Sequence, residues 1–208
     1  NYHLADLPKP AADDRKAAQT AAGLLAEYPR GRGLCLVVGS GDGRLAMELA
    51  QRSKLRVIGL ETDRSQVEQA RDDATKRGVY GPRCSFFHVP TLEKLPVPSR
   101  SVNLMIVQTD AEGELTTPLS EVERTLQPEH GYLLVTGEKA DAVRAKLADT
   151  DLSPVNSKSA FAARRNELQE AGDWSHMYGD ASNAAYTGEA LGGVKSTEDL
   201  SVSWLGLP

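Results

Sequence analysis

The feature that most constrains this chain is a short apolar run that leads directly into a glycine-rich turn. Residues 34–38 read LCLVV, glycines follow at positions 39, 41 and 43, and apolar residues at helical spacing resume at residues 45–50. A continuous apolar run of this length is typical of a strand buried on both faces of a parallel sheet. The stretch therefore predicts a strand, a tight loop that lets a ligand approach bare backbone, and a helix.

The same alternation continues along the chain and predicts a doubly wound α/β domain. Strands are predicted at residues 34–38, 55–60, 84–89, 104–108, 132–136 and 160–164, and helices at 15–28, 45–50, 65–77, 119–126 and 141–147. This order implies a mostly parallel, Rossmann-like sheet with helices on both faces and a ligand site at the carboxyl ends of the strands. At the third helix, Ser65 is predicted as the N-cap, with Glu68 completing a capping box.

A change of composition near residue 170 predicts a second segment. Residues 1–169 are predicted to form the α/β domain, with its core at about 33–137. From about residue 170 the chain is rich in Gly, Asp, Ser, Asn, Tyr and Trp and has no helical period, which predicts an irregular or β C-terminal extension at 170–208. Its aromatic residues argue against complete disorder. A strand predicted at 200–205 lacks a sheet of its own and favours self-association through the tail.

A carboxylate, Glu61, follows the second predicted strand. At the carboxyl end of the strand beside the glycine loop, such a group can accept hydrogen bonds from both hydroxyls of a ribose. Taken alone, Glu61 is better explained as a solvated residue at a strand end, but its pairing with the glycine loop favours a role in binding ribose. The loop reads G-S-G-D-G, which is neither the dinucleotide fingerprint nor a Walker loop, so a nicotinamide cofactor ranks well below other adenosine-type cofactors.

Composition removes several classes of function. The net charge of −5 offers no basic surface for nucleic acid, and no apolar run approaches the length of a membrane span. Cys35 and Cys84 lie in predicted strands and are expected to be buried free thiols. No metal site is predicted: His88 is expected to be a hydrogen-bonded core residue, His130 lies in a turn predicted to be exposed, and His3 and His176 have no evident ligand partners.

Four stretches in this order resemble the class I S-adenosylmethionine-dependent methyltransferases. Together they extend the likeness over roughly residues 15–137, and the last is similar to that family's Glu-x-x-Arg-x-Leu-x-Pro-Gly-Gly passage into the fifth strand. The stretches are VVGSGDG (Val37–Gly43), VIGLETD (Val57–Asp63), KLPVPSRSVNLMIV (Lys94–Val107) and EVERTLQPEHGYLLV (Glu121–Val135).

The resemblance implies S-adenosylmethionine as cofactor, S-adenosylhomocysteine as product, and a set of binding residues. The glycine loop would lie beneath the methionine part, Glu61 would hold the ribose, and the ends of the third and fourth strands would complete the pocket. The implied cofactor-binding residues are Gly39, Ser40, Gly41, Asp42, Gly43, Glu61, Thr62, Val89, Pro90, Thr91 and Gln108. The loop after the fourth strand lacks the Asn-Pro-Pro-Tyr signature and offers only Asp110 and Glu112 as candidate catalytic residues.

Three departures from the family pattern leave two functions open. Val37 stands where the family carries an acid, Val89-Pro90-Thr91 lacks the acid that usually meets adenine, and Asn103 replaces the Asp that commonly precedes the fourth strand. Each is expected to weaken the cofactor pocket or its support. The chain is thus interpreted as an S-adenosylmethionine-dependent methyltransferase of unknown acceptor, such as a small molecule, or as a catalytically inactive methyltransferase-like scaffold or interaction domain.

The extension carries a second resemblance. Asp173-Trp-Ser-His-Met-Tyr-Gly-Asp-Ala-Ser-Asn183 is similar to the start of quinoprotein-like, pyrroloquinoline-quinone-type β-propellers that follow methyltransferase-like domains in planctomycete-type bacterial proteins. This resemblance implies a larger parent protein with a C-terminal propeller. The native compartment depends on the same question: an active methyltransferase is expected in the cytoplasm, whereas a parent protein with a signal peptide would be periplasmic or secreted.

Overall fold

A computed structural model describes residues 15–168 and residue 196 of the 208-residue chain. The helices and strands of the described residues lie in a first unit, Asn1–Asn166. They are α1 (Arg15–Glu27), β1 (Arg32–Val38), α2 (Arg44–Arg52), β2 (Lys54–Glu61), α3 (Arg64–Lys76), β3 (Cys84–His88), β4 (Leu104–Gln108), α4 (Leu119–Thr125), β5 (Tyr132–Thr136), a 3-10 helix (Ala140–Leu147), β6 (Leu152–Val155) and β7 (Phe161–Arg165).

One sheet of seven strands, in the order β3-β2-β1-β4-β5-β7-β6, organises these elements. The first five strands are parallel, and β7 runs antiparallel to both of its neighbours. The strand order reverses between β1 and β4, so the carboxyl ends of these strands border a crevice where open α/β sheets bind ligands. The predicted doubly wound, mostly parallel sheet is confirmed.

The core consists of two apolar layers, one on each face of the sheet. Along β1, Cys35 and Val37 face the layer that contains residues of α1, α2 and α3, while Leu36 and Val38 face the layer of α4 and the 3-10 helix. Both faces of these strands are buried, and the strands therefore read as continuous apolar runs. Each large apolar side chain that is fully buried contributes about 1.5–3 kcal/mol to stability.

Several local predictions are wrong. Asp63, not Ser65, caps α3: Asp63 has an extended backbone, and its Oδ1 accepts hydrogen bonds from Ser65 N and Ser65 Oγ at 2.8 and 2.6 Å. Because Ser65 already lies inside the helix and Glu68 is exposed, no capping box forms there. The helical segment predicted at 141–147 is confirmed, and it is a 3-10 helix (Ala140–Leu147). Sequence patterns missed β6, a four-residue edge strand that contains Pro154.

The histidine and cysteine predictions have different outcomes. His88 is exposed at the end of β3, which is an edge strand, so its assignment to the core is wrong. His130 is half-exposed, and its Nδ1 lies 2.9 Å from Arg30 Nη2. Cys35 and Cys84 are buried free thiols, as predicted. Burial raises the pKa of both, that of Cys84 to about 12, so neither is ionised at neutral pH.

Asn103 supports the sheet rather than weakening it, which corrects the expectation drawn from the sequence. Its Oδ1 accepts a hydrogen bond from Leu34 N at 2.8 Å, and its Nδ2 donates to Gln127 Oε1 at 2.6 Å. These bonds join the amino ends of β1 and β4, the edge of the sheet opposite the glycine loop. The amide therefore retains an acceptor and adds a donor, and it leaves no unpaired group near the crevice.

Glu121 and Arg124, the Glu-x-x-Arg pair of α4, form hydrogen bonds with the connection between β3 and β4 and hold it against that helix. Arg124 donates to both carboxylate oxygens of Glu121, from Nη2 at 2.6 Å and from Nε at 2.8 Å. Glu121 Oε1 also accepts from Leu95 N at 2.7 Å, and Arg124 donates to the Leu95 and Val97 carbonyls at 3.0 Å each. Bidentate, charge-assisted bonds of this kind are strong and directional, so this pair has a structural role.

We expect Glu121→Gln to lower the free energy of unfolding by about 2 kcal/mol at neutral pH, because it weakens hydrogen bonds to a charged partner. The hydrogen bonds from Arg124 lower the pKa of Glu121. Its contribution is therefore complete above the unfolded-state pKa, about 4.3, and is lost as the pH falls through the lower folded-state pKa. Urea unfolding at pH 7 and at about pH 3 measures the free energy of unfolding of the variant and of the unmodified chain. The difference between the two chains should be smaller at the acid pH. An equal deficit at both pH values, or the same loss in the exposed Glu93→Gln control, would contradict this role.

The division of the chain falls after Asn166. The boundary predicted at 169/170 and the β-propeller-like extension stay predictions, because residues 169–208, except residue 196, lie outside the described part of the chain. Within the described residues, no helix is long and apolar enough to cross a membrane.

Candidate functional site

The glycine loop turns tightly between β1 and α2. Gly39, Gly41 and Gly43 all have positive φ, at 68°, 54° and 76°, in the left-handed region that favours glycine. The amides of Gly39 and Ser40 donate to the carbonyl of Leu60 at 2.9 and 3.0 Å. This arrangement ties the loop to the carboxyl end of β2 and leaves it at the crevice edge of the sheet.

Glu61 joins the end of β2 to the middle of this loop. Its Oε2 accepts a hydrogen bond from Gly41 N at 2.7 Å, and its Oε1 accepts from Thr62 N at 2.7 Å and from Asp63 N at 3.2 Å. The side chain is half-buried. Because two carboxylate oxygens provide about four acceptor positions, Oε2 retains capacity for a further donor, such as a ribose hydroxyl.

A cleft of about 450 Å³ opens beside the loop, within the size range of small-ligand sites. Its walls are the loop, the start of α2, the first two turns of α1 and the end of β4. Asp42 and Arg44 form an ion pair at its rim, with Oδ2 and Nε 3.1 Å apart. The lining residues are Lys16, Ala17, Thr20, Gly39, Ser40, Gly41, Asp42, Arg44, Leu45 and Gln108.

The structure brings together part of the predicted cofactor set. Five of its members line the cleft, namely Gly39, Ser40, Gly41, Asp42 and Gln108. Glu61 meets the loop through Gly41, and Thr62 follows it.

The remaining members of the set do not line this cleft. Gly43 is buried against Phe86 and Ala70, and its conformation and packing alone require glycine. Val89 lies in the core and donates to the Glu61 carbonyl at 2.9 Å, whereas Pro90 and Thr91 are exposed just beyond it. These residues therefore adjoin the Glu61 end of the site, and their binding role stays a prediction.

Asp110 organises the loop that follows β4. Its Oδ1 accepts from Glu112 N at 3.0 Å and from Glu114 N at 2.7 Å, and Thr109 forms an antiparallel bridge with Leu115. An ion pair between Lys146 Nζ and Glu114 Oε1 at 2.5 Å anchors the loop to the 3-10 helix. Asp110 thus holds a tight turn, and the catalytic assignment of Asp110 and Glu112 remains untested.

Sequence reasoning missed the contribution of α1. Lys16 and Thr20 lie one helical turn apart and form one wall of the cleft. The spacing i, i+4 placed them on one face, but only the packing of α1 against α2 shows which surface that face borders. Leu92 was also missed: a Cβ built on Gly39 would lie 3.9 Å from its Cδ1, so this side chain borders the other side of the loop.

The residues present fit an adenosine-type ligand with a charged amino-acid end. The Ser40 hydroxyl makes no hydrogen bond within the described residues, but it is buried beside Gly59 of β2, 2.8 Å from a Cβ position there, and is therefore not counted among the groups that face the cleft. The space beside Gly39 is open, since the heavy atom nearest to a Cβ placed on this residue would be Leu92 Cδ1, at 3.9 Å. Val37, where the family has an acid, packs in the core, so it leaves no unpaired group in the cleft.

The strand order and the single reversed strand define the Rossmann-like fold of the class I methyltransferases. Residues 35–129 match the family model described as a methyltransferase domain. No curated protein matches the sequence. The class I methyltransferase-like fold predicted for the domain is thereby confirmed.

Solved structures resemble the chain in fold. A protein of Methanococcus maripaludis, described as a candidate S-adenosylmethionine-dependent methyltransferase, is 13% identical with a TM-score of 0.58, over 77% of this chain and 89% of its own. An S-adenosylmethionine-dependent methyltransferase of Aquifex aeolicus is 18% identical with a TM-score of 0.55, over 74% and 97%. Magnesium protoporphyrin IX methyltransferase of Synechocystis, with bound S-adenosylmethionine, is 19% identical with a TM-score of 0.55, over 74% and 80%. At these identities the likeness establishes the fold.

Proposed function

We propose that this chain is an S-adenosylmethionine-dependent methyltransferase that binds its cofactor along the glycine loop. The observation that carries the proposal is the position of Glu61, whose carboxylate lies 2.7 Å from Gly41 N, where the ends of β1 and β2 meet. A ribose placed there can donate both hydroxyls to a negative acceptor that the backbone already orients. The match of residues 35–129 to a methyltransferase domain supports the same assignment.

The two ends of the cofactor would meet different parts of the chain. Thr62, with the segment from Val89 to Leu92, borders the Glu61 end and suits the adenine base. Lys16, Thr20 and the backbone of the loop suit the methionine end, because an ammonium, a hydroxyl and amide groups complement an amino acid's charges. When bound, S-adenosylmethionine supplies an activated methyl group. The task left to the protein is to orient it and to exclude water.

Gln108 stands at the end of β4, between the cleft and the Asp110 loop. We infer that the methyl acceptor approaches from this side, because Gln108 is the lining residue that adjoins the loop with Asp110 and Glu112. A small-molecule acceptor is our working assignment. Since Asp110 already accepts two backbone hydrogen bonds, its second oxygen is the one left to orient an acceptor.

One observation favours a second function, that of a non-catalytic scaffold. Within the described part of the chain, the cleft wall contains no histidine, glutamate or cysteine, and its one carboxylate, Asp42, is paired with Arg44. A methyl transfer that needs a general base would therefore have to recruit it from the β4 loop or from the acceptor.

Isothermal titration of the purified chain with S-adenosylmethionine and S-adenosylhomocysteine tests the cofactor assignment. We expect micromolar dissociation constants for both ligands and none for NAD at the same concentrations. The absence of heat at millimolar ligand, from a chain whose circular dichroism shows it to be folded, would overturn the enzyme assignment and leave the scaffold.

We further propose that the domain ends near residue 169 and that residues 170–208 lead into a propeller of a longer protein. These residues, apart from residue 196, lie outside the described part of the chain, and the proposal rests on the sequence resemblance alone.

Self-association through the tail is tested by light scattering across a wide concentration range. A single species at monomer mass would contradict it. A cytoplasmic location accompanies the enzymatic function.

A further inference from the structure

Glu27, the last residue of α1, binds the loop between β6 and β7. Its Oε1 accepts three hydrogen bonds from that loop, from Lys158 N at 2.9 Å, Ser159 N at 3.2 Å and Ser159 Oγ at 3.0 Å. These bonds, the one from Lys158 most of all, lower the pKa of Glu27. The loop is thus hydrogen-bonded to the carboxyl end of α1.

The same loop packs against α1 one turn earlier. A Cβ added to Gly23 would lie 3.3 Å from Ser159 Cβ, so the absence of a side chain at Gly23 allows the loop to approach this closely. Gly23 and Glu27 are four residues apart and therefore lie on one face of the helix. The contact therefore has two parts, the hydrogen bonds to the Glu27 carboxylate and the close packing of Ser159 against Gly23.

That face of α1 continues to the cofactor cleft. Lys16, Thr20, Gly23 and Glu27 follow the spacing i, i+4, i+7 and i+11, which forms one stripe along the helix. The first two line the cleft, and the last two contact the β6–β7 loop. The helix of 13 residues is about 20 Å long, so a single rigid element connects the two regions.

The apolar contacts of α1 do not by themselves determine its rotation. Its buried residues are Ala21 and Leu24, which lie on the side that faces the sheet. Because the hydrophobic effect is non-directional, a few contacts of this kind tolerate a small rotation or tilt of the helix. Hydrogen bonds are sensitive to both distance and angle, so the three bonds at Glu27 help to define the orientation of the stripe, together with the bond that Tyr28 Oη donates to the Arg32 carbonyl at 3.0 Å.

We propose that Glu27 is a positioning residue: by holding the β6–β7 loop, it orients α1 so that Lys16 and Thr20 face the cofactor cleft. This inference rests on the proposed binding of S-adenosylmethionine in that cleft. Loss of the anchor would leave α1 folded on the sheet but free to rotate, and ligand binding would then have to order it. The expected result is an affinity for S-adenosylmethionine about 5- to 10-fold weaker.

Three variants separate this role from general stability. Glu27→Ala removes the acceptor. Glu27→Gln keeps an oxygen at the same reach and, since a single oxygen accepts all three bonds, should retain the affinity of the unmodified chain. Gln19→Ala, at an exposed position of the same helix, is the matched control. Titration with S-adenosylmethionine and hydrogen exchange of backbone amides are measured on the full chain for each.

The inference predicts weaker binding and faster exchange in α1, but not in α3, for Glu27→Ala alone. If Glu27→Ala binds as tightly as the unmodified chain, or if Glu27→Gln loses as much affinity as Glu27→Ala, the positioning role is wrong while the proposed function stands. If the unmodified chain does not bind S-adenosylmethionine, the proposed function and the inference both fail. In that case the exchange data show only whether the loop anchors α1.

Discussion

Replacement of Glu61 by alanine is expected to weaken the binding of S-adenosylmethionine at least about 100-fold, equivalent to about 2.7 kcal/mol. Two effects combine. The variant removes the acceptor for the ribose hydroxyls, and hydrogen bonds to a charged group contribute about 1.5–3 kcal/mol each. It also removes the bond at 2.7 Å that holds Gly41 N, so the loop loses a contact that shapes the cleft. Isothermal titration measures the change in the dissociation constant.

Two further variants make the result specific. Glu61→Gln retains one acceptor oxygen, but its amide nitrogen is a donor placed beside other donors, the backbone N–H groups and the ribose hydroxyls. We therefore expect an intermediate loss of affinity for S-adenosylmethionine, about tenfold. Glu68→Ala, an exposed change in the neighbouring helix α3, should bind as the unmodified chain does. Equal affinity in Glu61→Ala and the unmodified chain would mean that the ligand lies elsewhere. Thermal unfolding without ligand shows whether the variants are folded.

We expect Gly43→Ala to lower the free energy of unfolding by about 2–5 kcal/mol. The backbone of Gly43 is left-handed, with φ of 76°, which costs a residue with a side chain about 1–2 kcal/mol. The new Cβ would also lie 2.6 Å from Phe86 Cζ and 2.8 Å from Ala70 Cβ, and overpacking of this kind costs about 1–3 kcal/mol. Denaturant unfolding of the chain without ligand measures the loss.

Gly78→Ala provides the matched control for this prediction. Gly78 has a similar φ of 67° at the end of α3, but nothing lies within 4 Å of its Cβ position. Its replacement should therefore show the backbone cost alone. If the two variants are equally destabilised, the contact with Phe86 relaxes freely, and the packing argument for Gly43 is wrong.

The glycine pattern could be interpreted in two ways from the sequence, and the structure separates them. Gly39 and Gly41 expose backbone at the cleft, as a ligand-binding loop requires. Gly43 is buried between Phe86 and Ala70, residues that lie 43 and 27 positions away in the chain. A local pattern shows that glycine is needed but not why, because the reason depends on which distant side chains pack there.

The Glu-x-x-Arg passage illustrates the same limit. Its order in the chain contributed to the resemblance with the methyltransferases, but its physical role is to hold the connection between β3 and β4. Similarly, Asn103 looked like a weakened position and instead joins two strands and Gln127. In both cases the partners are 24 or more residues away, except for the pair within α4 itself.

The sequence by itself determined the strand-helix alternation, the doubly wound sheet and the meeting of the glycine loop with Glu61. These follow from local periodicity and from the rule that parallel strands end at the same edge. Only the tertiary structure decided that α1 forms a cleft wall, that Asp110 holds a turn, and that Glu27 binds the β6–β7 loop. The physical reason is distance along the chain: Glu27 and Lys158 are 131 residues apart, and no local pattern encodes a hydrogen bond that exists only after the sheet has formed.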